Sequence, residues 1–378
     1  MGNRPAWMRK KGIGWRHMRR NSILFFVIII LLVSAQVEAS ATKGPDPSLQ
    51  TNVMPLLNKA ALKKIPDVLL AFDPGDNVAH SIVVEKKTQQ IILYAYDGKF
   101  EEVYRKKGST GEVPGAKTRS GDKKTPEGVY FFTKEHVKKD LSPIYGSRAF
   151  PMDYPNLLDQ RAERDGYAIW MHGTNKPIEP RDTNGCIALK NDDIDAFAKL
   201  IVINRTPIVV TDEIVYVDVS VQEKAKTTLL RFLTRWKDSV KGTYQDNRQF
   251  YDQKYFPEIP WWTWYKQKKR MFVLNPSLSV ELKRISILRH NKIYVALFDK
   301  FIKYLDADIF VGTQKLFIAE TENKLKIVGE EYQALFRGLK ASHLKDPVRV
   351  AFEILRKRLK TEKKVAYGAK ARPQQGAF

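Results

Sequence analysis

One cysteine, Cys186, stands in 378 residues. That excludes an internal disulfide framework and any cysteine-rich zinc or iron–sulfur site. Histidine is scarce too. His17, His80, His136, His172, His290 and His343 form neither H-x-x-x-H nor H-E-x-x-H, so no metal site is expected and no cofactor is called for. No apolar run approaches the ~20 residues of a membrane-spanning helix. Carboxylates are outnumbered, 42 Asp and Glu against 65 Lys and Arg, for a formal charge of +23. Apolar residues are not lacking: they make up 43%, with 19 Phe and 16 Tyr, which excludes wholesale disorder. The length exceeds what one ordinary core serves and points to two domains.

The charge begins with an address. Residues 1–21 hold seven bases and no acid, residues 23–33 are wholly aliphatic or aromatic, and Val37-Glu38-Ala39 puts small residues at the two cleavage-determining positions. This is the layout of a secretory signal over 1–39, with an uncleaved N-terminal anchor as the alternative. The remainder carries 58 bases against 41 acids. Nucleic acid is not an expected partner outside the cytoplasm; anionic envelope polymers or a lipid surface are. Residues 337–378 hold twelve bases against three acids. They read as a basic tail, from about 333, with a solvated helix over 347–364.

Residues 40–78 read as a Pro-rich linker with one short helix around 56–64. From His80 the pattern turns to period two and short apolar runs, at 81–84, 91–96, 129–132, 168–171 and 208–210. Gly and Pro punctuate them, which predicts an antiparallel, mostly-β domain over 79–219. A helix is expected over 192–201, with Asn191 or Asp192 as its N-cap. Near Gln222 the texture changes to helical periodicity over 224–240, a second helix over 246–256, and an aromatic cluster of Trp261, Trp262, Trp264 and Tyr265. That cluster either stacks on sugar rings or packs between helix and sheet. Strand-like runs follow at 279–288, 293–301, 315–320 and 324–329. Helices first and a strand meander after predict a separate α+β domain over 222–332.

The chemistry concentrates in Ile169-Trp170-Met171-His172-Gly173-Thr174 and Arg181-Asp182-Thr183-Asn184-Gly185-Cys186. His172 ends a predicted strand, and the lone cysteine follows it by fourteen residues in a polar turn. Attack on an amide needs a thiolate, a base that helps form it, and donors for the tetrahedral oxyanion. Cys186, His172 and the N–H groups of Gly185 and Cys186 supply all three. A lone cysteine is more often a small buried hydrophobe. A core cysteine seldom sits in Thr-Asn-Gly-Cys, however, and a free thiol in an oxidising compartment is a liability unless it is used.

On these residues, His80 to Asp218 resembles the catalytic domain of L,D-transpeptidases, the YkuD-type fold. The resemblance is carried by 81–86 with 91–94, by Ser109-Thr110-Gly111, by Gly121-Asp122-Lys123-Lys124-Thr125-Pro126-Glu127-Gly128, and by the His172-Gly173 and Thr183-Asn184-Gly185-Cys186 pair. It implies acyl transfer on peptidoglycan stem peptides in the periplasm, with cleavage of the L,D bond after meso-diaminopimelate. Cys186 would be the nucleophile, His172 the base, the Gly173 carbonyl its orienting acceptor, and the backbone at Gly185 and Cys186 the oxyanion hole. Asn184 stands where many members carry a second histidine, and Ala188 where many carry arginine. Both departures fit a subgroup resembling cell-shape carboxypeptidases and amidases, and put cross-linking in doubt. Arg148, Arg181 and Asn184 are candidates for substrate binding, the two arginines with surface or structural ion pairs as the alternative.

Residues 222–332 resemble a nuclear-transport-factor-two-like cone, through Phe232-Leu233…Trp236-Lys237, Phe298…Tyr304…Asp306 and the hairpin from Lys315-Leu316-Phe317 to Lys326-Ile327-Val328. A binding or dimerisation role is expected of it. The resemblance leaves the acceptor open between water, in a carboxypeptidase, and an amine, in a transpeptidase. The competing readings are an amidase releasing lysine-linked protein from peptidoglycan and a non-catalytic wall-binding module.

Overall fold

In a computed structural model, residues 63–73, 78–256, 258–322, 324–335 and 347–370 are described. The expected signal or anchor lies outside them, as does nearly all of the helix expected around 56–64. Two strands, β1 (Lys64–Pro66) and β2 (Leu69–Phe72), occupy the end of the expected linker. Leu69 to Phe72 are all buried, which explains why this stretch is apolar: it is core, not tether.

The first half then runs through β3 (Ala79–Glu85), β4 (Gln90–Tyr96), β5 (Phe100–Lys107), β6 (Gly128–Phe131), β7 (His136–Val137), β8 (Arg148–Pro151) and helix α1 (Leu157–Arg161). Strands β9 (Trp170–Thr174) and β10 (Ile187–Lys190), helix α2 (Asn191–Ala198), β11 (Pro207–Thr211) and β12 (Tyr216–Asp218) complete it. Two sheets result, ordered β5-β4-β3-β11-β6 and β10-β9-β8-β7. The pairs β3–β11 and β9–β10 are parallel, where sequence pattern predicted antiparallel pairing throughout. Period two reports which face a side chain takes, not the direction of the neighbouring strand. Helix α2 begins at Asn191 with Lys190 at its N-cap, because the Asn191 side chain is drawn elsewhere. It accepts the Ser147 N–H at 2.9 Å and donates to Asn175 Oδ1 at 2.8 Å.

Helices α3 (Val219–Ser239), α4 (Tyr244–Arg248) and α5 (Glu258–Leu274) follow, then β13 (Leu278–His290), β14 (Ile293–Tyr304), β15 (Ala307–Thr321), β16 (Lys324–Leu335) and helix α6 (Pro347–Lys370). The antiparallel meander β13 to β16 is extended by β2 at its edge. This is the mostly-β domain followed by α+β cone that the sequence predicted. Leu229, Leu233 and Trp236 give α3 its buried stripe at helical spacing. Helix α4 stops short of the expected 246–256, because the chain turns to pair with β16: Ile327 N–H donates to Phe250 O at 2.7 Å and Asp252 N–H to Ile327 O at 3.0 Å. The aromatic cluster lies on α5. Tyr265 packs inward and donates to Gly242 O at 2.7 Å, while Trp262 stays 41% exposed. The side chains of Trp261 and Trp264 are outside the description. Helix α6 buries Val348, Ala351, Phe352 and Leu355 and turns Arg356, Lys357 and Arg358 to solvent. No described helix is long and apolar enough to cross a membrane.

The central five-stranded sheet is buried on both faces. Ile82, Val84, Leu93, Ile208 and Val210 pack with Phe150, Met171, Ile187 and Ile194 on the site side. Val83, Ile92 and Val209 pack on the other side with Leu288, Val295, Leu297 and Phe317 of the meander. Three consecutive aliphatics in β3 and again in β11 are what two covered faces require. Among the described residues the two halves accordingly share one core. Lys315 of β15 ties the halves further. Its ammonium, 3% exposed, meets Asp153 at 2.6 Å and Glu331 at 2.5 Å, and Asp153 also accepts the Phe131 N–H at 2.7 Å.

Removing that cation leaves two partly buried carboxylates unpaired. Lys315→Ala is expected to lower unfolding stability by about 3 kcal/mol, the scale for breaking a buried ion pair, measured from urea midpoints at constant slope. Because the core is shared, secondary-structure and tryptophan signals should melt together in both proteins. Two separated transitions in the parent protein would contradict the shared core.

Candidate active site

Strands β9 and β10 bring the sequence-predicted pair together. Their parallel register sets Met171 against Ile187 and His172 against Ala188. Cys186, one residue before β10, therefore lies level with Trp170. Residues two apart on a strand share a face, so Cys186 and His172 point to the same side. One pleat along and one strand across separate their backbones by about 8 Å, which two inward-leaning side chains span. Ala188, directly beside His172 and 5% exposed, leaves room for the imidazole and places no charge next to it.

Both residues line a cleft of about 370 Å³ with Ser109, Tyr145, Thr183 and Asn184. His172 is 7% exposed, and its Nδ1 lies 2.6 Å from the Gly173 carbonyl. A carbonyl only accepts, so Nδ1 carries the proton and Nε2 is the basic nitrogen. Tyr145 packs edge-on against the imidazole, with centroids 5.1 Å apart at 89°, and also against Trp170, which stacks on His136. Burial pushes the His172 imidazole below its ordinary 6.5, against an opposing pull from the Gly173 carbonyl. Burial likewise pushes the Cys186 thiol up, against smaller pulls from the Trp170 N–H and Lys117. The resting pair is thus a neutral thiol and a neutral base. The thiol donates to the Ala168 carbonyl at 3.5 Å.

The cysteine turn is held by its neighbours. The stretch 109–112 pairs with it: Thr183 N–H donates to Thr110 O at 3.1 Å, Glu112 N–H to Thr183 O at 2.9 Å, and Ser109 and Ala188 exchange two bonds of 2.9 Å. Thr183 Oγ1 closes the turn, accepting the Gly185 N–H at 3.1 Å and donating to the Cys186 carbonyl at 2.8 Å. The Gly185 N–H is therefore engaged inside the turn, which corrects its expected place as an oxyanion donor. The two arginines are corrected as well. Arg148 is bound to Asp195 at 2.6 Å and to Glu135. Arg181 donates through its guanidinium to Lys86 O at 3.2 Å and through its N–H to Gln89 Oε1 at 3.0 Å. Neither lines the cleft; both are tied to structure by partners that cannot be seen without the fold. Asn184 does line it, exposed.

Charged groups that sequence reasoning missed complete the wall: Glu112, Glu179 and Asp182 against Lys176. Tyr145 was missed too, since nothing in Pro143-Ile144-Tyr145 announces contact with a histidine 27 residues away. A second groove shares Pro177 and Ile178 with the cleft and is lined by Arg105, Lys106, Lys107, Lys190 and Asp193. Among the described residues no three His, Cys, Asp or Glu gather in a metal-holding group. The arrangement can deprotonate a thiol and present it to a carbonyl carbon.

Comparison with known proteins agrees with this geometry. Residues 79–210 match the family profile of the YkuD L,D-transpeptidase catalytic domain. Bd1075 of Bdellovibrio bacteriovorus is similar in structure, at 25% identity and a TM-score of 0.62, over 73% of this chain and all of that one. So is the helical cell shape determining protein Pgp2 of Campylobacter jejuni, at 24% identity and a TM-score of 0.56, over 70% of this chain and 95% of that one. No curated protein matches the sequence. With the family's profile covering the strands that carry Cys186 and His172, residues 79–210 are an L,D-transpeptidase catalytic domain of the YkuD type.

Proposed function

We propose that the chain is a periplasmic cysteine enzyme that cleaves the L,D bond after meso-diaminopimelate in peptidoglycan stem tetrapeptides. The observation that carries this reading is the joint presence of Cys186 and an Nε2-basic His172 on one face of one cleft. Nε2 takes the thiol proton as sulfur attacks the carbonyl carbon, and returns it to the departing D-alanine amine. A thioester remains on Cys186. Glu179 and Asp182 suit the free ammonium of the diaminopimelate side chain, while Glu112 is paired with Lys123 at 2.6 Å. The adjoining groove, with Lys107 and Lys190, suits stem-peptide carboxylates.

Water is the proposed acceptor. A transpeptidase must hold a second stem peptide with its amine in attack range. On β10, Ile187 and Leu189 are wholly in the core and Ala188 lies beside the imidazole, so next to the thiol that strand places no charge to hold an acceptor, and its one exposed cation, Lys190, lines the adjoining groove. A role in cell shape, the property named for the Campylobacter relative, is part of the same proposal. The basic face of α6 is proposed to meet an anionic envelope surface.

Digestion of purified sacculi tests the reading: tetrapeptides should fall and tripeptides rise, and Cys186→Ala should abolish the change while leaving the melting temperature within about 2 °C. Dominant 3-3 dimers would mean an amine acceptor. Unchanged muropeptides with release of bound protein would mean the amidase, and no change at all the wall-binding module. The pH profile follows from the shifts. His172 must be neutral to accept a proton and its pKa is depressed, so kcat/KM should fall only as pH drops through a value below 6.5. His172→Ala should lose at least about a hundredfold together with that acid limb; a limb that survives the substitution removes His172 from the mechanism.

A further inference from the structure

We propose that Thr125 is a positioning residue that aims the Cys186 N–H into the cleft as the oxyanion donor. The proposal rests on the reading of Cys186 as an acyl-accepting nucleophile. Thr125 is wholly buried, and its one hydroxyl is used twice. It accepts the Gly111 N–H at 2.8 Å and donates to the Gly185 carbonyl at 3.0 Å. A trans peptide unit is planar, with its C=O and N–H pointing in opposite directions. Whatever holds the Gly185 carbonyl therefore also sets the direction of the Cys186 N–H. With the carbonyl drawn to an interior hydroxyl, the N–H of the same unit turns outward, toward the cleft that Cys186 lines. The bond also polarises the unit and makes that N–H a stronger donor. The other candidate donor, Gly185 N–H, is already held by Thr183 Oγ1.

The surroundings fix the hydroxyl from several sides. Gly185 has a φ of +119°, and a Cβ there would lie 2.6 Å from the Lys124 carbonyl oxygen. The turn and the 123–125 backbone can touch only because this residue is glycine. Gly111 meets the same backbone, where a Cβ would lie 2.3 Å from the Lys123 carbonyl oxygen. Behind Thr125, the buried Lys86 ammonium donates to the Thr125 carbonyl at 3.1 Å, to Gly115 O at 2.6 Å and to Glu127 Oε1 at 2.8 Å. Upstream, Asp122 accepts the N–H groups of Thr118, Arg119 and Lys124 and pairs with Lys117 at 2.7 Å. The Gly121 to Gly128 motif thus delivers one hydroxyl to one peptide unit.

Two reactions of Cys186 separate aiming from mere support. Acylation by a p-nitrophenyl ester passes through an oxyanion; alkylation by iodoacetamide does not. Thr125→Ser keeps the hydroxyl and should acylate within about threefold of the parent. Thr125→Val should lose about tenfold or more in acylation, part of what a missing oxyanion donor costs, with alkylation changed less than about twofold. Acylation of Thr125→Val at the parent rate overturns the proposal, and so do equal losses in both reactions. If Thr125→Val does not fold, the parent protein decides through a peptide aldehyde adduct. There the sulfur bonds to the carbonyl carbon and the thiol proton passes to the oxygen. That oxygen should lie within hydrogen-bond distance of the Cys186 nitrogen, with the Gly185 carbonyl still on Thr125; an oxygen elsewhere overturns the proposal. A parent protein that the ester never acylates overturns the catalytic reading of Cys186 itself, and this proposal with it.

Discussion

Burial of the central sheet on both faces is the constraint from which the architecture follows. Ile82-Val83-Val84 and Ile208-Val209-Val210 place aliphatic side chains above and below the sheet, and each face must be covered. The β7–β10 sheet and α2 cover one, and in doing so bring β9 and β10 to the surface with the cysteine turn at their rim. The meander β13–β16 covers the other. The second half is thus the back wall of the catalytic half. The charges at the junction are the mark of that arrangement: Lys315 and Asp299 are buried, and their partners Asp153 and Arg205, at 2.6 and 3.1 Å, partly so, because two layers close over them.

The site obeys a second constraint, economy of backbone. Between His172 and Cys186 lies the connection of a parallel strand pair, which cannot be a tight hairpin. Its length lets it leave the sheet, form the outer wall of the cleft and return as a turn that ends on Cys186. That turn has no regular secondary structure of its own. Its hydrogen bonds come from 109–112, from Thr183 and from Thr125, and this borrowed support is what gives an irregular segment a defined shape.

Much of this was legible in the sequence. Strands β3, β4, β6, β9 and β11 and the four of the meander showed as apolar runs, while β5, β7, β8 and β10 did not; the cysteine stood out because the residues before it are polar and small. The direction of pairing was not legible, since alternation is the same in parallel and antiparallel strands. Nor was the fate of residues 64–72, whose apolar Leu69-Leu70-Ala71-Phe72 joins a sheet made more than 200 residues later. Arg148 and Arg181 looked available because a sequence does not display the carboxylates and carbonyls that claim them. The Gly185 N–H looked available for the same reason. Thr125 was visible only as part of a motif, and its use depends on a carbonyl 60 residues away.

The central claim is that turnover passes through a thioester on Cys186. Mixing the protein with a tetrapeptide muropeptide, quenching in acid within the first turnovers and weighing the intact chain tests it directly. The account predicts a species heavier by the muropeptide less one D-alanine, with the added mass on the peptide that contains Cys186. Release of D-alanine with no such adduct, or with the mass on another residue, would contradict it.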